Sequence, residues 1–285
     1  MNAAVAPRRT GSRRGTGRAE RAAARAIAVA IAATLVVSLG ALAGHSATAE
    51  PGQPSPTIVG GSDADQIYPF MAVLSQGGEH YCGGVVIDPE WVITAAHCVA
   101  DRDPASVTLR IGSTSRSSGG VVTTADELHA HPDFDWDDPG GDVGLVRLRE
   151  PVRTEQVGLG EPAGEGTPVR LLGWGQSCPE ADCGEQPDTL QQLDTEVVGS
   201  EACDDIDGAV ELCLDNPGGD AGPCYGDSGG PALGNDDGQW TLVGLVSRPG
   251  YDGDACGQGP SIASEADPYS AWTDEVTGAS GDTAG

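Results

Sequence analysis

The chain has 285 residues, with 43 glycines, 20 prolines and few aromatics, and its 15 basic and 43 acidic residues give a formal net charge of −28. That length is ample for a buried core, and short apolar runs broken by Gly, Pro and Asp clusters favour an all-β chain over a helical one. From Ile58 onward eight arginines face 41 acids, a net charge of −33, which repels nucleic acid and anionic lipid rather than attracting them.

In chain order, residues 8–25 hold seven arginines and one acid, Glu20. An apolar run from Ala26 to about Gly44 follows, then "SATAE". This reads as a signal peptide over 1–49, cut after Ala49. The other reading is an uncleaved anchor, since about 18 apolar residues just span a bilayer. "GSRRGTGR" has no apolar residues close behind it, so the export route stays open. Residues 50–57, "EPGQPSPT", form a Pro-rich linker or short propeptide.

Strand-like runs then begin, at 70–75 (FMAVLS), 81–87 (YCGGVVI), 91–95 (WVITA), 107–112 (VTLRIG) and 143–148 (VGLVRL). A polar stretch without periodicity, 149–168, separates them from further runs at 169–175 (VRLLGWG), 193–198 (LDTEVV) and 240–247 (WTLVGLVS). Many short strands at such spacing predict sandwiches or barrels. A brief helix is expected near Pro268 to Val276, and 278–285 reads as a flexible tail.

All eight cysteines (82, 98, 178, 183, 203, 213, 224, 256) lie in the expected exported part. An even count there points to disulfides; zinc is the rival explanation, but the chain has no CxxC pair. His97, in "VITAAHCV", directly follows a β-rich run. His129 and His131 form an H-x-H that invites a metal reading, but with no third ligand and Pro132 adjacent they read as loop residues. His80 has no supporting context. Asp142, in "GGDVGLVRL", stands at the mouth of a strand, where an acid after two glycines is also ordinary turn chemistry. "CYGDSGGP" (224–231) makes Ser228 either a nucleophile or a small polar residue in a glycine-rich turn.

"IVGG" (58–61), "TAAHC" (94–98), "DVGLVRL" (142–148) and "GDSGGP" (226–231) occur together in that order, and the chain from about Ile58 to Trp272 resembles the chymotrypsin/trypsin family of secreted serine proteases. The resemblance implies two six-stranded antiparallel Greek-key β-barrels, about 58–160 and 161–277, with a short C-terminal helix. It implies a triad: Ser228 as nucleophile, His97 as general base and then acid, and Asp142 orienting the imidazole and stabilising its charged form. Backbone N–H groups of Gly226 and Ser228 would form the oxyanion hole. The residue types fit the chemistry, because a hydroxyl is a weak nucleophile and a neutral imidazole takes its proton at neutral pH. The resemblance also implies that, once the bond after Thr57 is cut, the Ile58 α-ammonium turns inward to Asp227. It further implies the pairs Cys82–Cys98, Cys203–Cys213 and Cys224–Cys256, leaving Cys178 and Cys183 to each other.

Departures from the family pattern bear on specificity. Gly222, six residues before Ser228, stands at the expected base of the primary pocket and cannot select Arg or Lys as an acid would. After "LVGLV" the family usually has Ser-Trp-Gly, whereas this chain has Ser247-Arg248-Pro249, and Pro249 has no N–H to offer substrate. Ser261 aligns near the opposite wall, and Asp252 and Asp254 stand close enough in sequence to reach the pocket rim. Thr57 is not the Arg or Lys after which family members are often cut. The expectation is therefore a secreted, monomeric endopeptidase acting on proteins or peptides after uncharged residues, with no metal or organic cofactor and no nucleic-acid partner. Membrane contact is expected only if the signal is retained. The alternative is a protease-like binding protein without activity.

Overall fold

A computed structural model describes residues 58–279 apart from 139, 182 and 254. The expected signal segment and linker, 1–57, and the tail beyond 279 lie outside the described residues.

A two-residue strand, β1 (Ser62–Asp63), comes first and joins the second of two barrels. The first barrel comprises β2 (Met71–Gln76), β3 (Glu79–Asp88), β4 (Trp91–Thr94), β5 (Val107–Ile111), β6 (Val121–Ala130) and β7 (Gly144–Leu148). It closes in the order β2-β3-β4-β7-β6-β5, so β5 returns beside β2. After β8 (Gly158–Leu159), the second barrel uses β9 (Pro168–Gly173), β10 (Gln191–Val198), β11 (Glu211–Leu214), β12 (Pro231–Asp236), β13 (Gln239–Pro249) and β14 (Ser261–Glu265). Its order, β10-β11-β14-β13-β12-β9, is closed by pairing of β9 with β10. Pairing within both barrels is antiparallel, and helix α1 (Ser270–Thr277) ends the fold. Two six-stranded barrels with a C-terminal helix bear out the expected architecture.

Local sequence explains the strands. In β5, Val107, Leu109 and Ile111 point inward and Thr108 outward, the period-two pattern of a half-buried strand. The turn from β2 to β3 is Gly77-Gly78, both at positive φ, as a two-residue hairpin loop requires. Leu172, Trp174, Leu233, Leu242 and Leu245 from the second half belong to the same core cluster as Met71, Val92 and Leu145 of the first. The two barrels therefore pack against each other, and the site lies where they meet.

Four barrel strands, besides the two-residue β1 and β8, carried no legible signal. In β6 only Ala125 is fully buried, and Val121 and Val122 are 51% and 54% exposed. β11 is only four residues long, β12 starts on a proline, and β14 (SIASE) sets one bulky apolar residue, Ile262, among buried serines and an alanine. Alternation or a bulky apolar run marks a strand, and these have neither. One reading is corrected here: His129 is not in a loop but in β6, bonded to Glu127 at 3.1 Å and packed on Trp91. Among the described residues no helix is long and apolar enough to cross a membrane.

Candidate active site

β4 ends at Thr94, and the following short 3-10 turn, Ala96–Cys98, presents His97 at the barrel boundary. The Cys82–Cys98 disulfide staples that turn to β3. Asp142 arrives from the loop before β7 and grips His97 twice: Nδ1 lies 2.8 Å from Oδ2, and the His97 backbone N–H donates to Oδ1 at 2.9 Å. With Nδ1–H given to the carboxylate, Nε2 is left as the acceptor.

The second barrel holds Asp142 in place. Ser247 Oγ of β13 donates to Oδ2 at 2.6 Å, and Ser264 Oγ of β14 donates to the Asp142 carbonyl at 3.0 Å. Just upstream, the Gly141 N–H reaches the Tyr269 hydroxyl at 2.8 Å and the Gly140 N–H reaches buried Glu211 at 3.2 Å. Burial pushes the Asp142 carboxyl up, but the hydrogen bond and charge of His97 and the Ser247 hydroxyl outweigh it and hold it below the ordinary carboxylate range.

Ser228 sits in a tight turn whose backbone is tied on every side. The Gly83 N–H of β3 donates to its carbonyl at 2.8 Å, Gly229 N–H to Val246 at 2.8 Å, and Gly230 N–H to Asp227 at 2.9 Å. Gly226 has φ +101°, and a Cβ there would lie 2.5 Å from Gln186 Nε2, so only glycine fits. Asp227 is buried, accepting N–H bonds from Gly175 at 2.8 Å and Cys224 at 2.9 Å. Burial pushes its carboxyl up to about 7. Gly173 and Gly175 make room for that carboxylate, since a Cβ on either would fall 2.0 or 2.4 Å from its atoms.

His97, Ser228 and Gly226 line one recess, together with Cys82, Tyr81 and Arg102. A second cavity of about 170 Å³ opens beside Ser228, and Gly222, Ser247, Pro249 and Ser261 all line it. Tyr251 also lines it, and its hydroxyl is bonded to the Ala255 carbonyl. No carboxylate belongs to that lining among the described residues; Asp252 is not part of it, and Asp254 lies outside the described residues. Ile58 is fully buried with Val169, Leu171 and Ala221, and Val59 bridges to Gly222, whose N–H donates to the Val59 carbonyl at 2.9 Å.

All eight cysteines pair as expected: Cys82–Cys98, Cys178–Cys183, Cys203–Cys213 and Cys224–Cys256. The only group of three metal-type side chains among the described residues is Cys82, His97 and Cys98, and its two sulfurs are bonded to each other. His131 packs on Tyr269 and Trp272, away from any ligand cluster. His80 is buried between Gln186 and the Cys82 carbonyl, and burial takes its pKa down to about 4.

Sequence reasoning missed Ser264, Tyr269, Glu211, Tyr251 and Arg102. "GWG" at 173–175 was visible only as a strand end, and nothing local marks the others as neighbours of the site.

A family model described as Trypsin matches residues 58–273. A trypsin of Saccharopolyspora erythraea is 33% identical over 69% of this chain and 91% of that protein. Trypsin theta of Drosophila melanogaster is 37% identical over 67% of this chain and 75% of its own length. A trypsin of Sarcophaga bullata is 31% identical over 73% and 86%, respectively.

Proposed function

The chain belongs to the trypsin family of serine proteases, and from that premise we propose that it is a secreted endopeptidase whose nucleophile is Ser228. The observation that carries the reading is the double contact of Asp142 with His97, whose ring shares a recess with Ser228. In this reading His97 Nε2 takes the Ser228 proton as Oγ attacks the substrate carbonyl, and returns it to the leaving amine. Asp142 keeps its charge while the imidazolium forms beside it, consistent with its lowered pKa. The developing oxyanion is met by the N–H groups of Gly226 and Ser228, already fixed by the turn and so needing no reorganisation during reaction. Water then hydrolyses the acyl-enzyme by the same proton relay.

The four disulfides fit an extracellular protein, which supports secretion. The rival reading, an inactive binding protein, is not favoured by relatives that carry enzyme names.

The residue before the scissile bond enters the cavity lined by Gly222, Pro249, Tyr251 and Ser261. A buried Arg or Lys there would lack a carboxylate and be heavily penalised. Small to medium apolar residues are therefore expected to be preferred. Kinetics on matched peptides differing only at that residue check this: Ala, Val or Leu should exceed Arg and Lys by tenfold or more in kcat/KM. A tenfold preference for Arg or Lys would mean that an acid outside the described lining supplies the charge.

A further inference from the structure

Of the eight arginines from Ile58 onward in this very acidic chain, Arg102 is the one that lines the recess of His97 and Ser228. Arg147, Arg170 and Arg248 each bind a carboxylate, at 2.7, 2.6 and 2.5 Å. Arg102 forms no ion pair among the described residues. Its guanidinium lies over the Tyr81 ring, Cζ 3.9 Å from the centroid, and Nη1 donates to the neutral Gln76 amide at 2.6 Å. Asp101 and Asp103 flank it in the chain, but Asp103 Oδ1 accepts the Ala105 N–H at 3.0 Å instead. Burial raises the Tyr81 phenol to about 12, so the ring beneath stays neutral and supplies no counter-charge. An arginine held over an aromatic ring is pre-ordered, which reduces the entropy lost when it takes an anion.

The position of this cation assigns its use. The cavity for the residue before the scissile bond shares Ser247 and Arg248 with a groove that reaches His97 and carries Asp135, Asp137, Asp138 and Asp205. That groove repels carboxylates. Arg102 lies in a different recess, with Cys82, Gly226, His97 and Ser228, which meets the first cavity at Tyr225 and Ser228 and so offers a path for the chain after the scissile bond.

We infer that Arg102 is a specificity-determining residue that receives a carboxylate on the leaving-group side of the substrate, within the first two residues after the cut bond. The inference rests on the protease reading above. The carboxylate comes from an Asp or Glu side chain or from the C-terminus of a short peptide; both present the same anion to the guanidinium.

The test uses peptides with Ala before the scissile bond and Glu, Gln or Lys at the first or second position after it, each as free acid and as amide. The mature enzyme is expected to favour Glu over Gln about three- to fivefold and over Lys about tenfold in kcat/KM, the scale of a partly shielded ion pair. Arg102→Gln should bring the Glu and Gln peptides together, Arg102→Glu should reverse the order, and 1 M salt should shrink the preference. Persistence of a side-chain preference in the amides identifies the side chain as the source. A gain confined to free acids identifies the terminus. Binding of the same peptides to Ser228→Ala, followed by fluorescence anisotropy, reads the ratio without turnover. Failure of the intact enzyme to cut any peptide would sink the protease reading; a Glu-to-Gln ratio near one, or one unchanged in Arg102→Gln, would sink the role of Arg102.

Discussion

Ser228→Ala is expected to lower peptidase turnover by about 10⁶-fold while leaving the fold intact, because nucleophile, base and orienting acid act as one unit and fail together. The size follows from what remains. Without Oγ there is no attacking atom, and His97 and Asp142, still joined at 2.8 Å, have no proton to move. Residual rate comes only from binding and from the N–H groups of Gly226 and Ser228, which alanine keeps. The turn itself survives, since it is held by backbone bonds of Ser228, Gly229 and Gly230 and not by the side chain. A fluorophosphonate probe is expected to label Ser228 alone in the wild type and nothing in the variant. Asp142→Asn should cost about 10⁴-fold by misorienting the imidazole, a scale known from the same constellation in this family. Full activity in Ser228→Ala, or labelling at another serine, would overturn the assignment.

A chain beginning at Ile58 is expected to be active, and one beginning at Glu50 to be nearly inactive. Asp227 carries the argument. Its carboxylate is buried directly beside the Ser228 turn, accepts backbone N–H groups from Gly175 and Cys224, and is pushed up to about 7 by burial. A group whose folded pKa is raised favours the fold fully below its unfolded value, about 3.9, and loses that contribution as pH rises through about 7. The uncut chain is therefore expected to lose stability between about pH 4 and pH 7. Cleavage after Thr57 creates an α-ammonium on Ile58, whose side chain is already buried beside Ala221, on the segment that leads to Gly222. In this reading a buried cation next to Asp227 would remove the penalty and fix the turn that would carry the oxyanion donors. Melting curves of Ser228→Ala in cut and uncut forms should diverge toward pH 7, the cut form keeping its stability. Activity of the cut form should persist past the ordinary α-amino range near pH 8 and then fall reversibly as the ammonium loses its proton. Equal activity of the Glu50 form would show that no such switch operates.

Much of this molecule is decided by short stretches of its chain. Strands β2–β5, β7, β9, β10 and β13 declare themselves because bulky apolar residues alternate or cluster between turn formers, as in "VTLRI" and "WTLVGLV". His97, Asp142 and Ser228 became candidates in sequence because their motifs occur together in the order of the family, while each alone was also ordinary turn chemistry. Tertiary structure alone decided the rest. Strands β6, β11, β12 and β14 are fixed by the neighbouring strands that pair with them and not by a pattern in their own residues. Ser247 and Ser264 reach Asp142 from 105 and 122 residues away, a separation at which no spacing rule applies. Arg102 is an ordinary surface residue in sequence, five positions after His97. Folding of the first barrel sets its guanidinium over Tyr81, and packing against the second brings Ser228 into the same recess. Local chemistry is written in neighbouring residues because backbone conformation depends on them. Convergence across two barrels depends on packing, which neighbouring residues do not encode.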